Sequence, residues 1–260
     1  MANYISEADI EEADIQLFKD LKYQFINADG KQLLGRKSLK EVVLKDQLRT
    51  SLSKLNKDLP ATCIETAIDQ LTQPLTELSP LLANKKIYGY IKNSVKVDYQ
   101  KDGQKQVGYV KIIDFKEPTN NDFLVVQQLS IEYQKLENIT RRPDLLLYVN
   151  GLPIVYIELK NAAVNVKKGY DVNLKDYKED IPQLFYYNLF VCISNGIKTR
   201  IGSFNAEWEH FFPWTRLKDS AEGVKQQSLL QIEAAGVKEN KKLSLQYFSE
   251  GLCKKENLID

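Results

Sequence analysis

Residues 141–160 read Arg141-Arg142-Pro143-Asp144-Leu145-Leu146-Leu147-Tyr148-Val149-Asn150-Gly151-Leu152-Pro153-Ile154-Val155-Tyr156-Ile157-Glu158-Leu159-Lys160. Two apolar, β-prone runs, 145–149 and 154–159, flank an Asn-Gly pair, and Asn-Gly between such runs is a strong hairpin signal. Successive side chains of a strand alternate between faces. Glu158 and Lys160 therefore share a face, while Ile157 and Leu159 point into the core. The turn folds the first strand back on the second, which can bring Asp144 near Glu158. Two carboxylates and one ammonium then converge at the polar end of an apolar sheet.

Working outward, further β-prone runs cover 87–91, 94–99, 109–115 and 123–133 before the hairpin, and 190–194 and 199–204 after it. Lys101-Asp102-Gly103 and Asn195-Gly196 punctuate them as turns. Residues 170–187 carry a helical pattern. Near the N-terminus, Ser6 followed three residues later by Asp9 reads as a capping box. It opens an amphipathic helix whose apolar stripe is Ile10, Ala13, Leu17, Phe18 and Leu21. Residues 36–59 read as mixed helix. From Pro60 a better helix runs through Ile64, Ala67, Leu71, Leu75, Leu78 and Leu82, with a kink at Pro74. Asn27–Gly30 is a turn. Beyond Trp214 the chain turns polar and helical (218–241) and ends without a packing signature. The order predicts an α/β fold: a mixed central β-sheet flanked by helices, with an N-terminal helical layer.

Composition narrows the chemistry. The 260 residues are 43% hydrophobic and 27% charged, which suits one large or two small globular domains. No apolar run approaches the length of a membrane span, and the acidic start is not a signal peptide. The net charge of +1 argues against a chain-wide basic surface, though not against a local basic groove. Cys63, Cys192 and Cys253 are widely spaced, so neither zinc nor a disulfide framework is expected, and a reducing, cytoplasmic setting fits. With His210 as the sole histidine, a His-rich metal site is impossible, and any catalysis is expected to use carboxylates and lysine. His210 itself, among Trp208, Phe211, Phe212 and Trp214, reads as packing.

Asp144, Glu158 and Lys160 suit phosphodiester hydrolysis. Two carboxylates can hold Mg²⁺ with water positions left open. The metal polarises the phosphoryl oxygen and lowers the pKa of a bound water. The lysine can orient that water or stabilise transition-state charge. The plainer reading is a cross-strand ion pair on a solvated face, since Glu-x-Lys on a strand is common. The strongly apolar strand and the Pro-Asp at the foot of its partner favour the sharper one.

Pro143-Asp144 with Glu158-Leu159-Lys160 resembles the PD-(D/E)xK nuclease motif, which implies a restriction-endonuclease-like core. The surroundings resemble the N-terminal endonuclease domain of the type I restriction enzyme R subunit. That wider resemblance rests on Ile113-Asp114-Phe115, on Asn120 through Gln128, on Arg141 through Pro153, on Tyr177 with 180–188 and 193–196, and on 200–203 with 209–214. It covers most of residues 4–215. It implies Asp144 and Glu158 as metal ligands, Lys160 as the catalytic lysine and Mg²⁺ as cofactor. The family commonly adds an acid from the N-terminal helix, for which Glu7 is the first choice and Glu11 the second, with Glu12 pointing further outward. For any single one of these acids, helix-dipole compensation is the plainer and slightly favoured reading. A Gln-x-x-x-Tyr motif usual after the lysine appears here as Asn173 and Tyr177, with the amide one methylene shorter. Tyr177 also reads as a ring packed on the sheet. Lys167, Lys168, Lys175 and Lys178 fit either phosphate contacts or a solvated helix face.

The stretch from Gly30 to Ser38 is not a nucleotide-binding loop, because Arg36 interrupts the Gly-Lys-Ser/Thr order and no buried strand precedes it. ATP is expected only at a motor region beyond this chain. The expected organisation is an endonuclease domain over 1–215, with its helical layer over about 1–85 and its sheet core over about 86–215, and a helical linker over 216–260 leading toward that motor. The expected function is Mg²⁺-dependent cleavage of double-stranded DNA in a complex with the M and S subunits, away from any membrane. The rivals are a stand-alone PD-(D/E)xK nuclease and a non-catalytic DNA-binding or docking domain.

Overall fold

The computed structural model describes residues 6–30, 32–133, 139–214 and 244–260. Its centre is a six-stranded mixed sheet in the order β1-β4-β7-β8-β9-β10. These strands are β1 (Gln24–Asn27), β4 (Phe123–Gln127), β7 (Leu145–Val149), β8 (Leu152–Leu159), β9 (Phe190–Ser194) and β10 (Thr199–Gly202). β1 runs parallel to β4 and β8 parallel to β9, while the remaining neighbours are antiparallel. Two small ribbons stand apart from it: β2 (Val95–Lys101) with β3 (Gln104–Val110), and β5 (Ile131–Glu132) with β6 (Thr140–Arg141).

The β7–β8 hairpin forms as its sequence predicts. Asn150 and Gly151 both take positive φ, +51° and +83°, as a two-residue turn matched to strand twist requires. A Cβ on Gly151 would stand 2.6 Å from the Leu44 carbonyl oxygen and 2.7 Å from the Leu48 nitrogen, so glycine lets the turn tuck against helix α2 (Lys45–Leu55). Every residue of β8 is buried. The solvated face of the plainer reading is therefore absent at Glu158.

Helix α1 (Glu7–Asp20) carries the predicted capping box: Ser6 accepts from the Asp9 amide, and the Asp9 carboxylate accepts from the Ser6 amide. Its buried face is Ile10, Asp14, Ile15 and Phe18, so the expected stripe is corrected: Ala13 is exposed, and a carboxyl lies within the core contact. The long kinked helix from Pro60 is two helices, α3 (Ala61–Thr72) and α4 (Pro80–Asn93). Pro74 forces Gln73 into extended backbone and ends the first. α4 overturns the strand expected at 87–91, because Ala83, Ile87 and Ile91 recur every four residues and bury one helical face. Of 36–59, only α2 is helical. The loop ahead of it is held by buried Arg36, which donates to the carbonyls of Gln32, Leu33, Glu41 and Ser130. The run 123–133 breaks at Gln128, and 170–187 divides into a wide turn (Gly169–Leu174), α5 (Lys175–Asp180) and a 3₁₀ turn (Pro182–Tyr186).

The helix expected at 218–241 lies outside the described residues. Residues 244–260, which show no packing signature in sequence, pack firmly: Leu245, Phe248, Cys253, Leu258 and Ile259 are buried. Ser249 donates to Asp14, and the Tyr23 hydroxyl donates to the Cys253 carbonyl at 2.7 Å. Among the described residues no helix is long and apolar enough to cross a membrane.

Candidate active site

The hairpin register pairs Leu145 with Ile157, which places Asp144 beside the last residues of β8. The Asp144 Oδ2 accepts from the Leu159 amide at 2.7 Å. Glu158, 1% exposed, accepts from the Lys160 Nζ on Oε1 and from the Tyr156 hydroxyl on Oε2, both at 2.6 Å. The Lys160 Nζ also donates to the Leu159 carbonyl at 2.8 Å, and the Lys160 amide is pinned to the Ser194 carbonyl of β9. The structure thus brings Asp144, Glu158 and Lys160 together at one end of the sheet.

Their electrostatics follow from burial. Burial, then the charge of Glu158, raises Asp144 to about 8, against the Leu159 hydrogen bond and the charge of Lys160. Burial likewise raises Glu158, with Lys160 and Tyr156 opposing. Burial works against the Lys160 ammonium, but the charge and hydrogen bond of Glu158, with the charge of Asp144, outweigh it and hold lysine above its usual range. Two carboxyls that resist joint ionisation beside one ammonium form a pocket short of positive charge.

Tyr177 stands over this pocket from α5. Its ring meets Tyr156 edge-on at 5.7 Å, and its hydroxyl donates to the Arg142 carbonyl at 3.1 Å. Arg141 fixes α5 through Asp180 and lies 5.8 Å from the Tyr177 ring centroid. Burial, then the charges of Glu158 and Asp144, raises the Tyr177 hydroxyl well above its ordinary range. Asn173 is half-buried in the wide turn. Lys167 pairs with Asp171, and the Lys178 Nζ lies 5.9 Å from the Tyr170 ring centroid.

From α1, exposed Glu7 is near enough for its charge to raise both Glu158 and Lys160. Glu11 reaches the site by a direct link, accepting from the Gln128 side chain at 2.9 Å. Glu12 is exposed. Three contributors were not singled out in sequence. Tyr156 lies two residues before Glu158, so strand alternation alone puts both on one face. Gly169 brings the wide turn onto the carboxylate: a Cβ there would lie 2.5 Å from Ile193 Cγ2 and 3.4 Å from Glu158 Cγ. Gln128 carried no local signal.

For a divalent cation the residues fit in part. The Glu158 Oε1 and the Leu159 carbonyl already converge on one cation, the Lys160 ammonium, and Asp144 adjoins them. Among the described residues no three His, Cys, Asp or Glu side chains form a ready cage. Asp144 and Glu158 would supply the one or two carboxylates that Mg²⁺, which keeps several waters, needs.

Buried acids and a lysine thus meet at the end of one hairpin of a mixed sheet. The profile described as "Type I restriction enzyme R protein N terminus" matches residues 4–210, and the chain belongs to that family. The type I restriction enzyme HindI endonuclease subunit of Haemophilus influenzae is 32% identical over 220 residues, covering 81% of this chain and 20% of that protein. A putative type I restriction enzyme MjaIXP endonuclease subunit of Methanocaldococcus jannaschii is 29% identical over 265 residues, covering 96% of this chain and 24% of that protein. The chain thus spans a fifth to a quarter of the length of these relatives.

Proposed function

We propose that this chain is the nuclease-bearing part of a type I restriction enzyme R subunit, with a PD-(D/E)xK site that hydrolyses phosphodiester bonds of double-stranded DNA. The observation that carries the reading is the buried meeting of Asp144, Glu158 and Lys160 where β7 begins and β8 ends. A structural ion pair would need one acid; a second carboxyl beside it raises the protonation of both and destabilises the fold. Such a cost is characteristic of a functional site.

Asp144 and Glu158 would hold Mg²⁺, which supplies Lewis acidity and a more acidic bound water. Lys160, on the same side as Glu158, would meet the charge that builds on the attacked phosphoryl group. Water adds to phosphorus, the bond to the leaving sugar oxygen breaks, and that oxygen takes up a proton. The packed β7–β8 hairpin holds both acids at fixed spacing, and Tyr177 with Arg141 closes one side of the pocket.

The DNA, the M and S partner subunits, the cytoplasmic setting and an ATP-driven motor outside residues 1–260 come to this chain through its family. The same reading makes 1–215 the nuclease unit. The test is the assembled enzyme carrying Lys160→Ala, assayed for DNA cleavage and ATP hydrolysis on the same unmethylated substrate. Lost cleavage with intact ATP hydrolysis is expected. Retained cleavage sinks the reading.

A further inference from the structure

The turn after β4 holds a residue that grips two parts of the site at once. Gln128 has φ +57°, in the left-handed region that few residues other than glycine adopt. Its amide donates to the Asp144 carbonyl at 3.0 Å, and its side-chain Nε2 donates to the Glu11 Oε1 at 2.9 Å. The backbone thus holds the candidate ligand at the foot of β7, while the side chain holds an acid of α1. A left-handed conformation is strained for a residue that carries a side chain, and glycine would relieve it. What glycine lacks is the amide that reaches Glu11.

We infer that Gln128 is a positioning residue: it clamps Glu11 beside Asp144, so that α1 contributes a fixed outer negative charge that strengthens divalent-cation binding. The inference rests on the nuclease reading and deepens it. Groups that orient the ligands of a metal site commonly change its affinity about 10- to 100-fold when removed. A mere tether for α1 is a weaker account, because the helix is also held by buried Ile10, Ile15 and Phe18 and by the Ser249–Asp14 hydrogen bond.

Gln128→Gly separates the two roles. It keeps the backbone donor to Asp144, suits the positive φ and deletes only the clamp. The measurement is Mn²⁺ affinity by calorimetry on the full-length protein without nucleotide, counting only the site that Glu158→Ala abolishes. Gln128→Gly and Glu11→Gln should each weaken Mn²⁺ about 10- to 100-fold. The double variant should be no weaker than Glu11→Gln alone, and unfolding midpoints should stay near wild type. Wild-type affinity in Gln128→Gly, or strictly additive losses in the double variant, overturns the clamp and leaves the nuclease reading standing. A wild-type protein with no Glu158-dependent Mn²⁺ site overturns both.

Discussion

Asp14 and Asp144 are two carboxyls taken out of water, and in each burial is the largest cause of an upward shift, to about 7 at Asp14 and about 8 at Asp144. Their neighbours differ. Asp14 is completely buried and accepts from Ser249 on Oδ1, and its Oδ2 has no hydrogen-bond partner among the described residues. It sits at a seam where α1 meets residues 244–260, and its carboxyl bridges the two through Ser249. Asp144 faces a second carboxyl and an ammonium, with a further acid held behind it by Gln128. Burial alone therefore does not mark a site. What sets Asp144 apart is the second carboxyl and the ammonium beside it, a pair of acids that added positive charge relieves.

The largest effect should separate the two in activity. In the assembled enzyme, Asp144→Asn is expected to lower DNA cleavage by at least about a hundredfold, the scale of losing one transition-state-stabilising group. Asp14→Asn should cut at the wild-type rate. Equal losses in both would erase the distinction.

A smaller effect should separate them in stability. An acid raised in the folded state holds its proton longer there than in the unfolded chain. Its contribution is therefore most favourable below the unfolded value near 4 and is lost as pH rises toward the folded value, about 7 for Asp14. Urea unfolding followed from pH 4 to pH 9 should show this decline, with Asp144 carrying it on toward pH 8. Asp14→Asn should lessen it below pH 7 and be more stable than wild type at pH 8, by a few kcal/mol at most. A wild-type decline that persists unchanged in Asp14→Asn would assign it to other groups.

The smallest effect is expected outside both pockets. Arg142 pairs with Asp29 at 2.8 Å on the surface, with both side chains more than half exposed. Arg142→Ala should change stability by less than about 1 kcal/mol in the same unfolding assay. A larger loss would show that this pair, next to Pro143 and Asp144, holds the foot of β7.

Sequence was most informative where one local rule decided the outcome. Asn150-Gly151 gave the turn, alternation put Glu158 and Lys160 on one side, and Ser6 with Asp9 gave the start of α1. It failed where distant partners decided. β1 is four residues of mixed polarity that pair with β4 about a hundred positions later. The residues at 87–91 have β-prone side chains but a four-residue burial rhythm, and the core they meet made them helical. Nothing in the sequence marks Asp14 as buried, because Ser249, 235 residues away, is what receives it. Gln128 was hidden for the same reason, since its meaning depends on Glu11 and Asp144 together.

The hairpin also implies an order of assembly. The Asp144–Leu159 contact closes 15 residues, whereas the Gln128–Glu11 contact closes 117. Loop-closure entropy alone makes the second costlier by about 2 kcal/mol, from 1.5RT times the logarithm of that ratio. The paired acids thus belong to a unit that closes early, and α1 joins a pocket whose floor already exists. In native-state hydrogen exchange, that order predicts α1 amides opening at lower free energy than the Leu159 amide.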